Sequence, residues 1–460
     1  MSSEWRVTKI EEIAAPFSTA LATGPFGSAI SSKYFVDSGV PVIRGANLSA
    51  DASTRLIDAD LAFVSQEKAS EFQRSVATRG DLVFTCWGTI NQVGLIDARS
   101  KFESYIVSNK QMKLTVDPVK ADHRFIYYVF SGPVKQSEIL DNGIGSSVPG
   151  FNLGQLRRHE VLLPPLEEQK RIADFLETLD DRIVLLRETN VTLEAVAQAL
   201  FKSWFVDFDP VRAKAEGRQP EGMDAATAAL FPNSFEESEL GLVPRGWKAE
   251  IAEQWLSALE TGRRPKGGVS GILDGVPSIG AESIVRIGEF DYSKTKYVSA
   301  EFFEKMKAGA LQSHDVLLYK DGGKPGVFLP RVSMFGEGFP FRVCGINEHV
   351  FRVRLKYPFS QTFLYYWLWS DSVMHELKHR GGKAAIPGIN QSDVKELKLL
   401  VPSEQTLNRF DEITKPLISK IFENSKKAQV LTQLRDSLLP RLISGQLRLL
   451  EAEALAAGDT

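Results

Sequence analysis

The sequence predicts an α+β chain in which two similar mixed α/β domains are joined by two long antiparallel coiled-coil helices. Three observations support this fold class. The two halves resemble each other at a period of roughly 235–240 residues, which indicates an internal pseudo-twofold repeat. Within each half, short β-branched and aromatic runs bounded by Gly, Pro, Asn and Asp fill about 150 residues. Each of these regions is followed by a long stretch with the apolar spacing of a coiled coil.

The composition is that of an ordinary globular protein. A length of 460 residues, 25% charged and 43% hydrophobic, fits two or three domains and argues against disordered, collagen-like and membrane classes. The longest apolar run, residues 363–369, is far shorter than the roughly 20 residues that span a bilayer, and the N-terminus lacks a signal-peptide pattern. Two cysteines, Cys86 and Cys344, suit a reducing compartment. We therefore expect a cytoplasmic protein.

The repeat rests on short matches that keep their order in both halves. Because an ordered series is unlikely to arise by coincidence, it predicts two copies of one domain. The matched segments pair residues 39–43 with 275–279, 80–84 with 314–318, 109–111 with 347–349, 125–128 with 363–366, 148–152 with 386–390, and 163–164 with 401–402.

The two coiled-coil stretches each carry an asparagine near the middle. From Ile172 the apolar positions follow a 4-3-4-3 spacing over about five heptads, and the second stretch is a looser version that contains Pro416, which we expect to kink it. If the helices pair, Asn190 and Asn424 lie at comparable depth and fix the register; the alternative is two exposed residues on a slipped face. The candidates for helix pairing and partner docking are Ile172, Leu176, Leu179, Ile183, Leu186, Asn190, Leu193, Phe201 and Trp204, with Ile413, Leu417, Asn424, Leu431 and Leu438.

These patterns give domain boundaries. They predict a first domain (1–165), a first long helix (166–208), a connector rich in Pro, Gly, Ala and acidic residues (209–246), a second domain (247–402), and a second long helix with a C-terminal tail (403–460).

The net charge of −3 conceals an uneven distribution. Residues 167–209 hold 10 acidic and 5 basic side chains, a net charge of −5. Residues 261–400 hold 20 basic and 14 acidic side chains, net +6, whereas residues 20–160 hold 15 and 14, net +1. A basic domain is the expected footprint of a nucleic-acid binder. The asymmetry predicts more phosphate contacts in the second domain.

Catalytic signatures are scarce in the sequence. The segment 375–379 satisfies the H-E-x-x-H pattern of zinc proteases, but Gly381 and Gly382 would end the helix at once, and the matching segment of the first half has no histidine. We interpret the pattern as chance and expect no metal. The sequence contains no phosphate-binding P-loop, dinucleotide fingerprint or nucleophile elbow.

The loops of the two domains offer side chains that can contact DNA. Asn and Gln can bond adenine edges, and Arg and Lys can bond guanine or phosphate, although ordinary surface hairpins have the same composition. The DNA-binding candidates are Thr23, Arg44, Asn47, Trp87, Thr89, Asn91 and Gln92 in the first domain and Arg263, Arg264, Lys266, Lys320, Lys324 and Lys383 in the second.

Several longer motifs resemble a known family. The segments LPPLEEQKRI at 163–172, ALFKSWF at 199–205 and AEGRQPEGM at 215–223, followed by LFP at 230–232 and GLVPRGW at 241–247, resemble the central region of the DNA-specificity subunit of Type I restriction-modification systems. The segment LRDSLLPRLISG at 434–445 resembles the distal conserved end of that family. The second proline motif, at 401–405, departs from the first by being shorter.

The resemblance implies a subunit without catalytic residues or a cofactor of its own. In that family each target-recognition domain reads one half of a bipartite double-stranded DNA site, and the helices set the gap. A helix from Ile172 to Trp204 would span roughly 50 Å at 1.5 Å per residue. The implied partners are two methyltransferase subunits that bind S-adenosylmethionine and a translocating nuclease subunit that uses ATP and Mg²⁺, in a prokaryotic cytoplasm.

Two alternatives from other classes remain at this point. The chain could be a DNA methyltransferase or nuclease with unrecognised motifs, which would bind S-adenosylmethionine or cleave DNA alone. It could also be a coiled-coil protein-protein scaffold, which would show no sequence-dependent DNA binding.

Overall fold

The structure, a computed structural model, describes residues 5–144, 149–324, 326–382 and 387–458. The chain divides into two compact units. Unit 1 comprises Met1–Leu185 and Ala428–Thr460, and unit 2 comprises Leu186–Lys427. The first long helix, Leu166–Phe205, and the second long helix, Glu404–Ile443, therefore each contribute to both units.

Unit 1 contains three sheets. A five-stranded sheet has the order Phe35–Val36, Ala62–Val64, Val40–Ile43, Ser104–Val107 and Val76–Thr78. A four-stranded sheet has the order Leu21–Thr23, Gln111–Thr115, Asp81–Thr85 and Val93–Leu95, and Arg6–Lys9 pairs with Glu160–Leu163. The α-helices besides the long ones are Ile10–Ile13, Gln66–Ser70, His123–Ser131, Pro133–Asp141, Leu153–Arg158 and Leu449–Gly458.

Unit 2 repeats the main elements of unit 1. Its four-stranded sheet has the order Leu256–Thr261, Val350–Leu355, Val316–Tyr319 and Val332–Met334, and a three-stranded sheet has the order Lys296–Val298, Val276–Ile279 and Gly345–Ile346. Two-stranded pairs are Phe235–Ser238 with Gly241–Pro244, Lys248–Ile251 with Lys398–Val401, Ile284–Arg286 with Glu289–Phe290, and Gly323–Lys324 with Val327–Phe328. The shorter α-helices are Asp209–Ala215, Ala225–Ala229, Ala300–Glu304, Gln361–Trp369, Asp371–Gly381 and Gln391–Lys395.

A pair of glycines shows how closely the two units correspond. Gly24 follows the first strand of one four-stranded sheet, and Gly262 follows the first strand of the other. A Cβ at Gly24 would lie 1.9 Å from the carbonyl oxygen of Ser108, and a Cβ at Gly262 would lie 1.5 Å from that of Ile346. Only glycine permits such an approach of two backbone segments. The structure thus confirms the repeat predicted from the sequence.

The core of each unit lies between the four-stranded sheet and the long helices. In unit 1 the buried helix His123–Ser131 packs with Ile172 and Leu176 of the first long helix and with Leu438 of the second. In unit 2 the buried helix Gln361–Trp369 packs with an aromatic cluster that includes Phe201, Trp204 and Phe410. Each fully buried large apolar side chain contributes about 1.5–3 kcal/mol. The long helices therefore form part of both cores.

The predicted seam residues lie in these contacts. Most are buried: Ile172, Leu176, Leu179, Ile183, Asn190, Phe201, Trp204, Asn424, Leu431 and Leu438. The others, Leu186, Leu193, Ile413 and Leu417, are half-buried. Pro416 lies on an exposed position, and the second long helix continues through it from Glu404 to Ile443.

The two asparagines are in direct contact within unit 2. Asn424 Nδ2 donates to Asn190 Oδ1 at 3.0 Å, and Asn190 Nδ2 donates to Ser425 Oγ at 3.0 Å and to the Ile421 carbonyl at 3.2 Å. Asn190 is 9% exposed and Asn424 is 2% exposed. The structure therefore brings the pair together inside the packing and excludes the alternative of two exposed residues.

Charged residues of the long helices are also buried, which heptad spacing did not predict. In unit 1 Arg435 contacts Asp180 at 2.8 Å, and Tyr128 donates to the same carboxylate at 2.7 Å. In unit 2 Tyr365 donates to Glu194 at 2.5 Å, and Arg286 Nε donates to it at 2.8 Å. In each unit a tyrosine hydroxyl thus donates a hydrogen bond to a buried carboxylate of the first long helix. Burying a charge is costly unless it has such hydrogen-bond and ion-pair partners.

The connector is more ordered than its composition indicated. Residues 209–246 form two short helices and a hairpin rather than an open linker. Their aromatic side chains explain this order, since Phe231 packs edge-on against Trp204 with ring centres 5.0 Å apart. Arg409 Nε of the second long helix also donates to Thr227 Oγ1 at 2.9 Å. The connector is therefore part of the unit 2 core.

Among the described residues, no helix combines the length and the apolar character needed to cross a bilayer.

Candidate nucleic-acid interface

Unit 1 carries a cleft where two parallel strands end. Val40–Ile43 and Ser104–Val107 pair in parallel, so the segments that follow them emerge at the same edge of the five-stranded sheet. The loop after Asp81–Thr85 closes the third side. The resulting first cleft has a volume of about 470 Å³ and is lined by residues from all three segments.

The first cleft brings together four of the predicted DNA-binding residues. Arg44, Trp87, Thr89 and Gln92 all line it. Sequence reasoning missed four further polar lining residues, Thr85, Ser108, Asn109 and Lys110. Asn109 and Lys110 lie in the repeat match of residues 109–111 with 347–349, and that recurrence was the signal that could have identified them.

Two residues that line the first cleft each hold a buried polar atom with no hydrogen-bond partner within the described part of the chain. These atoms are Arg44 Nε and Thr85 Oγ1. Arg44 Nη2 donates to the Asp60 carbonyl at 3.2 Å, and its guanidinium lies 5.7 Å from the ring centre of Phe35. Thr85 is only 2% exposed. Because an unsatisfied buried polar group costs about 1–3 kcal/mol, the site is suited to a ligand that supplies the missing partner.

Trp87 forms the outer wall of the first cleft and is 46% exposed. Its loop is fixed from behind, since Gly88 N donates to the Pro149 carbonyl at 3.1 Å and Phe151 N to the Cys86 carbonyl at 2.8 Å. A Cβ at Gly150 would lie 2.6 Å from the Trp87 ring, so a glycine is required there. Burial raises the pKa of the Cys86 thiol to about 12, which keeps it protonated. The backbone of this loop is therefore fixed by hydrogen bonds, and the Trp87 indole is held in place at the cleft.

Three other predicted residues of the first domain lie outside the cleft. Asn47 is 2% exposed; its amide donates to the Ile57 carbonyl at 3.0 Å, and its oxygen accepts from Arg44 N at 3.0 Å. This side chain is committed to the turn after the strand, which corrects its assignment as a base contact. Thr23 is half-buried at a strand end, and Asn91 is half-buried in the loop.

Unit 2 has a second cleft at the equivalent place. Val276–Ile279 and Gly345–Ile346 also pair in parallel, and the second cleft lies where they end, with a volume of about 500 Å³. Of the predicted residues, Arg263 and Arg264 line it. The residues that follow the second strand, Asn347 to His349, line it as well, as Asn109 and Lys110 do in the first cleft.

Two of the remaining predicted lysines of the second domain, Lys266 and Lys320, lie outside the cleft. Lys266 is exposed and outside the lining. Lys320 pairs with Asp321 at 2.8 Å, and its ammonium lies 5.7 Å from the ring centre of Phe351. The side chain of Lys324 and all of Lys383 lie outside the described residues.

Carboxylates distinguish the second cleft from the first. Glu282 forms an ion pair with Lys296. Burial disfavours the charge of Glu282, but the hydrogen bond and charge of Lys296, a backbone hydrogen bond and the charge of His349 together outweigh burial and lower the pKa of Glu282. Glu348 Oε1 lies 3.9 Å from Arg264 Nη1 and 3.5 Å from His349 Nε2. The basic residues of this cleft are thus partly neutralised within the protein.

The H-E-x-x-H segment does not form a metal site in the described structure. Its helix ends at Gly381, and Glu376 pairs with Arg380 at 2.5 Å. Across the described ranges, no group of three or more His, Cys, Asp or Glu side chains is arranged to hold a metal ion.

The seam residues predicted for partner docking serve the interior instead. Ten of them are buried against the long helices and the two cores, so they offer no surface to another protein. Apolar residues that the first long helix leaves exposed include Val191 and Val196, at 46% and 53%.

Comparisons with known proteins agree with this architecture. Residues 3–195 match the family model described as the Type I restriction modification DNA specificity domain. The Type I restriction enzyme MjaIX specificity subunit of Methanocaldococcus jannaschii is 24% identical over 388 residues, covering 84% of this chain and 82% of the relative. The HindI specificity subunit of Haemophilus influenzae is 26% identical over 390 residues, covering 75% of this chain and 82% of the relative.

A solved structure shares the fold. The crystal structure of the S subunit of a Type I restriction-modification system from M. genitalium aligns with a TM-score of 0.51 at 14% sequence identity. The alignment covers 95% of this chain and 96% of that one.

Proposed function

Because residues 3–195 belong to the Type I restriction modification DNA specificity domain family and the chain is a DNA-specificity subunit of that kind, we propose that its two domains each read one half of a bipartite duplex. The observation that carries this proposal is the pair of equivalent clefts. Each follows the same parallel strand pair and gathers basic and amide side chains. Such side chains supply both phosphate and base contacts.

In this proposal the loops beside the clefts enter a DNA groove. Trp87, Thr89 and Gln92 belong to one such loop in unit 1. Amide and hydroxyl side chains on a rigid loop can distinguish bases by their edges, whereas cationic side chains contribute affinity without sequence preference.

The two long helices have a different role. We propose that they set the spacer between the half-sites and carry the docking surfaces for partner subunits. Support comes from the buried Asn190–Asn424 pair, since a polar pair in an apolar seam favours one register at some cost in stability. Exposed apolar side chains such as Val191 and Val196 are candidates for docking, because the seam residues are already buried.

The partners and cofactors of this chain are part of the proposal. We propose two methyltransferase subunits that carry S-adenosylmethionine and a translocating nuclease subunit that uses ATP and Mg²⁺. This chain would supply recognition and no catalytic group. The description of the relatives as specificity subunits supports this division of labour. Location in a prokaryotic cytoplasm stays a prediction.

The test is to co-express the chain with its methyltransferase subunits and sequence the methylated sites. Deleting one heptad from each long helix at facing positions removes about 10.5 Å of helix. We expect a spacer shorter by about three base pairs at 3.4 Å each, with both half-sites unchanged. A matched variant, Thr89→Ala with Gln92→Ala, should change one half-site and leave the spacer alone. An unchanged spacer in the deletion variant would contradict the role of the helices.

A further inference from the structure

The two clefts occupy equivalent positions but differ in the charges of the side chains that line them. The first cleft contains Arg44 and Lys110 and no Asp or Glu among its lining residues, all of which lie in the described part of the chain. The second cleft contains Arg263, Arg264 and Lys296 but also Glu282 and Glu348. The local charge of the first cleft is therefore purely basic, although its domain is nearly neutral.

The first cleft also offers donors that nothing in the described structure satisfies. Arg44 Nε and Thr85 Oγ1 have no hydrogen-bond partner among the described residues. Lys110 is exposed, and no ion pair of its ammonium is found within the described part of the chain. A guanidinium and an ammonium can only donate, and a threonine hydroxyl can donate. The group that completes this site must therefore be a hydrogen-bond acceptor, and the two cations favour an anionic one.

The shape of the site limits which acceptor can enter. Base edges lie at the floor of a DNA groove and are reached by protruding loops, whereas backbone phosphates protrude from the duplex and can enter a concave surface. A phosphate carries a full negative charge and several acceptor oxygens, which matches the donors of the first cleft. The first cleft has a volume of about 470 Å³, which accommodates a phosphate together with part of the adjoining sugar.

The second cleft does not suit the same ligand. Glu348 Oε2 is buried without a hydrogen-bond partner among the described residues, and Glu282 is already paired with Lys296. A phosphate placed there would meet two carboxylates, and like charges within a few ångströms repel.

We propose that the first cleft is a phosphate-anchoring site that holds one DNA backbone phosphate between Arg44, Thr85 and Lys110, and that the second cleft has no such site. The inference rests on the proposed function, because the DNA read by the first domain supplies the phosphate. It reverses the expectation from domain charge, by which the second domain would make more phosphate contacts. The paired carboxylates of the second cleft account for the reversal.

The experiment measures salt dependence of binding by the full chain in complex with its methyltransferase subunits. The probe is a random-sequence duplex between 50 and 200 mM salt, so that no knowledge of the recognition site is needed. Each phosphate contact contributes about 0.9 to the slope of log Kobs against log salt concentration. We expect the double variant Arg44→Gln with Lys110→Gln to reduce the magnitude of the slope by about 0.9, the share of one phosphate, and Lys110→Gln alone to reduce it by part of that amount. Arg264→Gln, the matched change in the second cleft, should leave it unaltered.

A second variant separates binding from folding. Thr85→Val keeps the side-chain shape and removes the hydroxyl, which has no partner among the described residues. We expect about tenfold weaker duplex binding, the equivalent of one lost hydrogen bond to a charged group, with no loss of thermal stability in the absence of DNA. Equal melting temperatures with unchanged binding would overturn the assignment of Thr85.

The outcomes distinguish this inference from the proposed function. If Arg264→Gln reduces the magnitude of the salt slope and Lys110→Gln does not, the proposed anchoring site is wrong, whereas DNA recognition by the chain is not contradicted. A wild-type complex with no salt-dependent duplex binding would instead contradict the proposed function. Inorganic phosphate is the third probe. If it raises the melting temperature of the wild-type complex but not of Lys110→Gln, and the duplex slopes are equal, the ligand is a free anion and the backbone assignment fails.

Discussion

Removing either asparagine of the buried pair should destabilise the protein by different, calculable amounts. Asn424→Ala deletes the bond from its Nδ2 to Asn190 Oδ1 and leaves that oxygen buried without its donor. An unsatisfied buried polar atom costs about 1–3 kcal/mol, so we expect a loss of about 2 kcal/mol. Asn190→Ala deletes three bonds, to Asn424, Ile421 and Ser425. At about 1 kcal/mol each, the loss should be about 3 kcal/mol.

The double variant isolates the interaction between the two side chains. Replacing both asparagines with leucine removes donor and acceptor together and should be nearly neutral, because no polar group of the pair remains unsatisfied. In a double-mutant cycle completed by the double alanine variant, the two alanine substitutions should couple by about 1 kcal/mol, because both remove the same bond between the asparagines.

Urea denaturation followed by circular dichroism gives the required free energies of unfolding. Gln198→Ala, at an exposed position of the first long helix, is the matched control and should stay within about 0.5 kcal/mol of wild type. The reasoning would be refuted if Asn424→Ala changed stability no more than this control, or if the two alanine effects simply added.

Two further predictions concern unit 1. Arg435→Met leaves Asp180, which is fully buried, without the guanidinium that contacts it at 2.8 Å, so we expect a loss of about 3–5 kcal/mol in urea denaturation. Arg435→Met combined with Asp180→Asn should recover part of that loss; a single variant as stable as wild type would contradict the buried pair. Burial, aided by the charge of Lys135, lowers the pKa of His159 below its ordinary value of 6.5. The folded state then binds fewer protons than the unfolded state, so His159 contributes stability above pH 6.5 that is lost as the pH falls below it. His159→Phe, which keeps the ring packing against Phe130 and Phe151, should make the fall in melting temperature between pH 7 and 5 shallower, and an equally steep fall would count against this assignment.

The architecture was accessible from the sequence because its signals are local or repeated. Heptad spacing predicted both long helices, and the two asparagines stood out as polar residues within an apolar series. The buried charges were not accessible in this way. Asp180, Glu194 and Arg435 are polar residues on a helix, which a periodicity argument assigns to solvent. Their burial depends on Tyr128, Tyr365 and Arg286, which come from distant parts of the chain.

The clefts were only partly predictable. Loop composition identified Arg44, Trp87, Thr89 and Gln92, because these residues lie in short segments with recognisable turn chemistry. Their convergence with Lys110 required knowing that Val40–Ile43 and Ser104–Val107 are parallel neighbours, although more than 60 residues separate them. Domain charge does not describe the two clefts, since a sum over 140 residues cannot show which cations are already paired. The role of Asn47 followed from its turn, which sequence spacing alone does not resolve.

The paired strands at the base of each domain have a consequence for how such a chain can change. Arg6 pairs with Leu163 in unit 1, and Lys248 pairs with Val401 in unit 2, so each domain begins and ends on two adjacent strands immediately before a long helix. The chain segment between those two strands therefore starts and ends at the same place in the structure. A segment of different sequence could replace it if its ends formed the same short antiparallel pair and its surface fitted the adjoining helix. Recombination between related genes at these two points would exchange the segment of one domain and leave the other domain unchanged.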